Sequence, residues 1–155
     1  MIQRIQTLFL LLAAVSMLLM FIFPLSSYLS DFEYFKLYIY GLTDMGPEHK
    51  DVGFTAFLPL LVLVIAIIAI LVYSVFKYKK RSLQLQLINI AVFLNVGLVA
   101  LIFFIYDSIL SKQISARPEY ETGTFIPLIA IVFCLLASWR IRKDEALVRS
   151  ADRLR

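Results

Sequence analysis

The chain has 155 residues, of which 61 % are hydrophobic, with a mean hydropathy of +0.87 and a formal net charge of +4. An apolar fraction well above the usual half excludes a single soluble domain and makes the chain an integral membrane protein by composition. Its lone cysteine, Cys134, excludes an internal disulfide and a thiolate metal cluster, and with them dithiol redox chemistry.

The apolar residues fall into four blocks, each near the ~20 helical residues that cross a bilayer. Arg4 precedes the first, TLFLLLAAVSMLLMFIF, which is longer than the core of a secretory signal and lacks a small-x-small cleavage site after Phe23. It is therefore expected to be a retained first span over about 7–28, with Pro24 near its end. The segment SDFEYFKLYIYGLTDMGPEHKDVG is longer than a simple connector. Its aromatic and β-branched residues from Phe32 to Tyr40, closed by Gly41, predict a short β or aromatic segment in this first outer loop, followed by turns.

Further spans are expected over 54–76, 85–106 and 123–139. Lipid forces each segment to satisfy its own backbone polar groups, and no barrel-like alternation is present. The expected fold is thus an all-α membrane protein: a four-transmembrane-helix bundle over 1–139, then a charged C-terminal helical extension over 140–155. GFTAFLPLLV opens the second span and GTFIPLIA the fourth. This echo suits a duplicated helical hairpin with Pro59 and Pro127 equivalent. The more ordinary reading is that proline is tolerated in the first turn of a helix.

Charge orients the bundle. Eleven bases against three acids, +8, fall on the side that holds both termini and the 77–81 loop, and four bases against eight acids, −4, fall on the other. By the positive-inside rule both termini are cytoplasmic. The basic excess is accordingly directed at anionic lipid headgroups, with no aromatic–basic interleaving suited to nucleic acid.

Chemistry-bearing side chains are few. Gln86, Asn89 and Asn95 in the third span are the candidate intramembrane polar contacts, expected to hydrogen-bond between helices. Ser16, Ser74 and Ser138 are lesser ones. His49, beside Glu48 and Asp51, reads as a solvated loop histidine, so no metal site is expected. No catalytic constellation and no cofactor motif is found, which argues against an enzyme. Tyr28, Tyr73, Tyr78, Tyr106 and Trp139 near span ends read as interfacial anchors.

The tail WRIRKDEALVRSADRLR continues the fourth span as a helix without glycine or proline. Glu145 to Arg149, Arg149 to Asp152 and Arg140 to Asp144 are at helical pairing distances, and Leu147, Ala151 and Leu154 make a narrow apolar stripe. Arg140, Arg142, Lys143, Asp144, Glu145, Arg149, Asp152 and Arg153 are the candidate surface, for a protein partner or for lipid headgroups. Acids among the bases favour a partner, since a lipid surface rewards positive charge alone.

MIQRIQTLFLLLAA, YKKRSLQLQLINI and FIPLIAIVFCLLASWRIRKDEALVRSADRLR resemble an uncharacterised family of small four-span membrane proteins of Bacteroidetes-type bacteria, a domain of unknown function. The resemblance covers nearly the whole chain and implies four spans and an inner-membrane address without a known activity. The expected role is a non-catalytic accessory or scaffolding subunit in the bacterial inner membrane, partnered by another membrane protein or by its own copies. The alternative is a small transporter or lipophilic-ligand carrier working through the groove near Gln86, Asn89 and Asn95.

Overall fold

Helices form where buried residues recur at i, i+4, i+7 and i+11, the spacing that gathers them on one face. In the computed structural model, which describes residues 3–29, 34–44, 57–78, 80–106, 108 and 118–152, these are α1 (Gln3–Leu19), α2 (Leu58–Phe76), α3 (Arg81–Ala100) and α4 (Thr122–Asp152). The inward stripe of α2 is Leu60, Val64, Ile67, Leu71 and Ser74, and that of α3 is Gln84, Ile88, Ala91, Asn95 and Leu98. In α4 it runs Ile126, Ala130, Cys134, Ala137, Ile141 and Asp144. Each helix packs against two others: α1 against α4 and α2, and α3 against α4 and α2, which closes a ring. Ala13, Ala14 and Ser16 on α1, with Ala130, Cys134 and Ala137 on α4, are small buried residues on the two most extensively packed helices.

Among the described residues, three helices are long and apolar enough to cross a membrane: Leu58–Phe76, Arg81–Phe104 and Thr122–Leu147. The apolar helix Ile5–Leu19 is shorter. This corrects the span expected over 7–28, because the helix ends at Leu19 and Tyr28 belongs to a strand. Pro24 is the cause, since it disfavours helix in the residue before it and cannot donate a hydrogen bond. The chain leaves α1 through tight turns, Met20 N–H to Met17 O at 3.3 Å, Phe21 to Leu18 at 3.2 Å and Ile22 to Leu19 at 3.0 Å.

The third span begins at Arg81, four residues before its expected start, and beyond Ala100 it continues as a π-helical segment, Leu101–Tyr106. Residues 54–56 of the second expected span lie outside the described residues. Pro59 occupies the first turn of α2, whereas Pro127 is the sixth residue of α4. The two prolines that the echo would equate thus have different helical positions.

The predicted β segment is one strand of a larger element. Strands β1 (Ser26–Leu29), β2 (Tyr34–Tyr38), β3 (Gly41–Asp44) and β4 (Pro118–Tyr120) form an antiparallel sheet in the order β3-β2-β1-β4. Ser26 pairs with Leu37 of β2 and with Tyr120 of β4, so β1 joins the segment before α2 to the one before α4. Alternation turns Phe35 and Leu37 inward, followed by Ile39, while Tyr34, Lys36 and Tyr38 are only partly covered. Phe35, Leu37, Ile39, Leu42, Leu25 and Tyr28 belong to the same buried core as the helices, so the sheet caps one end of the ring.

Helix α4 is fastened to this cap. Gly123 N–H donates to the Pro24 carbonyl at 2.9 Å, and the Leu25 carbonyl accepts from Glu121 N–H at 2.9 Å and from Thr124 Oγ1. A Cβ on Gly123 would stand 2.4 Å from the Pro24 oxygen and 2.7 Å from the Phe23 oxygen, which explains glycine at this close approach.

Candidate functional site

The end of the ring opposite the sheet carries Lys77, Lys80 and Arg81 and the charged part of α4. The chain turns from α2 into α3 through Lys77 N–H to Ser74 O at 3.2 Å and Lys80 N–H to Lys77 O at 2.9 Å. Gln84 is buried here, and its amide nitrogen donates at 3.2 Å to the same Ser74 carbonyl, which thus accepts two bonds at the end of α2. Lys77 Nζ lies 4.9 Å from the Tyr73 ring centroid. On α4, Arg140 and Lys143 bracket Trp139 at 5.2 and 5.4 Å. Tyr73 and Trp139 are exposed, so each presents an apolar ring crowned by cations at the end of an apolar helix. That arrangement suits a headgroup layer.

Beyond Trp139 the helix α4 continues without a break to Asp152. Arg142, Lys143 and Leu147 are exposed along it, and Arg140 and Glu145 are partly covered. Arg149 and Asp152 lie on the same helix. Arg153 and Leu154 lie outside the described residues, as does His49 with its neighbours Glu48 and Asp51.

Asp144 departs from the expected surface. It is only 9 % exposed, Gln6 on α1 is 5 % exposed, and the Gln6 amide donates to the Asp144 carboxylate. Position 144 continues the inward stripe after Ala137 and Ile141, so helical period places it against α1. Asp144 therefore braces the base of α4 instead of facing a partner, and the bond the structure gives it runs to Gln6 and not to Arg140.

The three amides of the third span do not converge. Asn95 is fully buried, with its amide nitrogen donating to the Ala91 carbonyl at 2.8 Å and its oxygen unpaired. Gln86 and Asn89 are exposed on the outer face of α3 and the Asn95 bond stays within its own helix, which corrects the expectation that the three bond between the helices of one ring. Gln84, which the sequence reading passed over, takes the interior place, and its unpaired oxygen and that of Ser74 mark a small buried polar spot.

Two almost wholly apolar grooves, of about 460 and 490 Å³, open outward on either side of α3. Gly97, Leu63 and Leu94 contribute to the first, Val99, Leu128 and Ile131 to the second, and Ala100 and Phe104 to both. Among the described residues no three His, Cys, Asp or Glu side chains converge as metal ligands. Outside the spans, burial, then the neighbouring Tyr38, pushes the Tyr40 phenol above its ordinary pKa, the wrong direction for a base at neutral pH.

The chain matches the family described as a domain of unknown function, DUF4293, over residues 2–154. It belongs to that family. No curated protein matches it.

Proposed function

We propose that the chain is a non-catalytic accessory or scaffolding subunit of the bacterial inner membrane, four spans crossing it and both termini cytoplasmic. The fourth span in this reading is α1 with its apolar exit turn, since Met20 to Phe23 extend the apolar run of Ile5–Leu19. Outward-facing Leu8, Leu11, Val15, Leu18 and Ile22 suit lipid, as do Val62, Ile65, Val132 and Leu135. Orientation rests on the division of bases, eleven to four.

The observation that carries the scaffolding reading is α4. It runs 31 residues as one helix, from the cap to beyond the cation-crowned Trp139, and its lower part is braced by Ile141 and Asp144. Beyond that brace, residues 145–152 would project about 12 Å of charged helix at a fixed angle. A rigid projection with exposed Arg142 and Lys143 and the acid Glu145 beside them suits a partner whose orientation is set by complementary charge. The interior favours this over the carrier reading, because its inward stripes are mainly aliphatic and the grooves lie outside the ring.

Reversing Glu145 to lysine should tighten the protein's binding to anionic vesicles while impairing its function in the cell. Reversing Arg142 and Lys143 to glutamate should remove partners that co-purify in mild detergent. Unchanged cell function and unchanged co-purifying proteins in both variants would leave only a lipid-surface helix.

A further inference from the structure

The outer face of α3 is unlike the rest of the apolar surface. At 100° per residue, Gln86, Asn89, Phe93, Gly97 and Ala100 fall within about 80° of one another, opposite the buried stripe centred on Ala91 and Asn95. The face combines exposed amides, a notch at Gly97 and Ala100, and two large protrusions, Phe93 at 77 % and Phe104 at 78 % exposure. Apolar grooves of about 460 and 490 Å³ flank the notch. Asn89 stands eight residues, about 12 Å, into the helix from Arg81, within the stretch long and apolar enough to span.

We propose that this face of α3 is the contact surface for a second copy of the chain, a parallel two-fold pair with Gln86 and Asn89 near the axis. The proposal rests on the membrane reading above. A two-fold interface must hold both halves of every contact on one patch. This one does. Primary amides carry donors and an acceptor, so each can pair with its own copy. The phenylalanines supply knobs and the adjoining grooves supply holes, while Gly97 and Ala100 allow close approach of the backbones. An acyl chain would fill a groove but leave the Asn89 amide unbonded in hydrocarbon, which is costly. Nothing requires an unrelated partner to find knobs, holes and self-pairing amides together.

The test uses the full chain with Cys134→Ala and one new cysteine, introduced as Phe93→Cys, Gly97→Cys, Val62→Cys or Leu135→Cys, in native membranes. Val62 and Leu135 are equally outward but on other helices. Oxidation should give a covalent dimer from the first two variants and none from the last two. Separately, Asn89→Leu in vesicles should raise the dimer dissociation constant about 3- to 30-fold, with helix content unchanged because the side chain is exposed. Absent cross-links at 93 and 97, equal cross-linking at 62 and 135, a product containing only a different protein, or undiminished pairing in Asn89→Leu would each overturn the proposal. A failure of the membrane reading registers independently, as release of the unaltered protein by alkaline carbonate.

Discussion

Replacing Gly123 by alanine isolates the fastening between the sheet and α4. The new Cβ would stand 2.4 Å from a backbone oxygen, so Pro24 must retreat by at least about 0.6 Å to reach the 3.0 Å floor of real contacts. The retreat strains the Gly123 to Pro24 hydrogen bond at 2.9 Å and the adjoining Glu121 to Leu25 bond at 2.9 Å. Two weakened bonds cost about 1 kcal/mol each, overpacking adds about 1–3, and alanine's helix propensity returns up to about 1. The net loss expected is about 2–5 kcal/mol, read as a lowered midpoint in reversible unfolding with an SDS titration of mixed micelles. Gly41→Ala is the control, since nothing lies within 4 Å of its added Cβ. A midpoint for Gly123→Ala no lower than that for Gly41→Ala would refute the clamp.

Asp144→Lys should destabilise the protein by about 3 kcal/mol or more through an unpaired buried charge, whereas Asp144→Asn, able to accept from Gln6, should cost about 1 or less. The same unfolding assay should show Glu145→Lys, at a partly covered position, losing about 1 kcal/mol or less. Asn95→Leu removes a buried oxygen that has no partner, so stability should hold within about 1 kcal/mol or rise; a loss above about 3 would mean that the oxygen is bonded. In the Cys134→Ala background, a cysteine at 36 should be labelled from outside intact spheroplasts and one at 142 only after permeabilisation. The reverse pattern would invert the topology.

The long helices were legible because a continuous apolar run declares itself locally. The sheet was largely illegible for the opposite reason. SSYL sits at the end of an apolar run, and PEY is three residues long with no period of its own. Their pairing across the chain, exemplified by Ser27 Oγ on the Glu119 carbonyl 92 residues away at 3.5 Å, has no local signal. At the charged end the helical period, and not the charge of the side chain, decides which residues turn inward. Counting on from Ala137 and Ile141 places Asp144 inward, and counting back from Ala91 and Ile88 selects Gln84 over Gln86.

The place of β1 in the middle of its sheet has a consequence for how the protein is made. β2 and β3 are synthesised soon after β1, but the partner for its other edge, β4, emerges only about 90 residues later. At about 5–20 residues per second, that edge waits on the order of 5 to 20 s while two helices are produced. Its hydrogen-bonding groups remain open to solvent, to a chaperone or to another nascent chain throughout. Seating of β4, together with the bonds from Glu121, Gly123 and Thr124, closes the sheet as α4 arrives to complete the ring, and a chain interrupted before Pro118 is left with that edge unpaired.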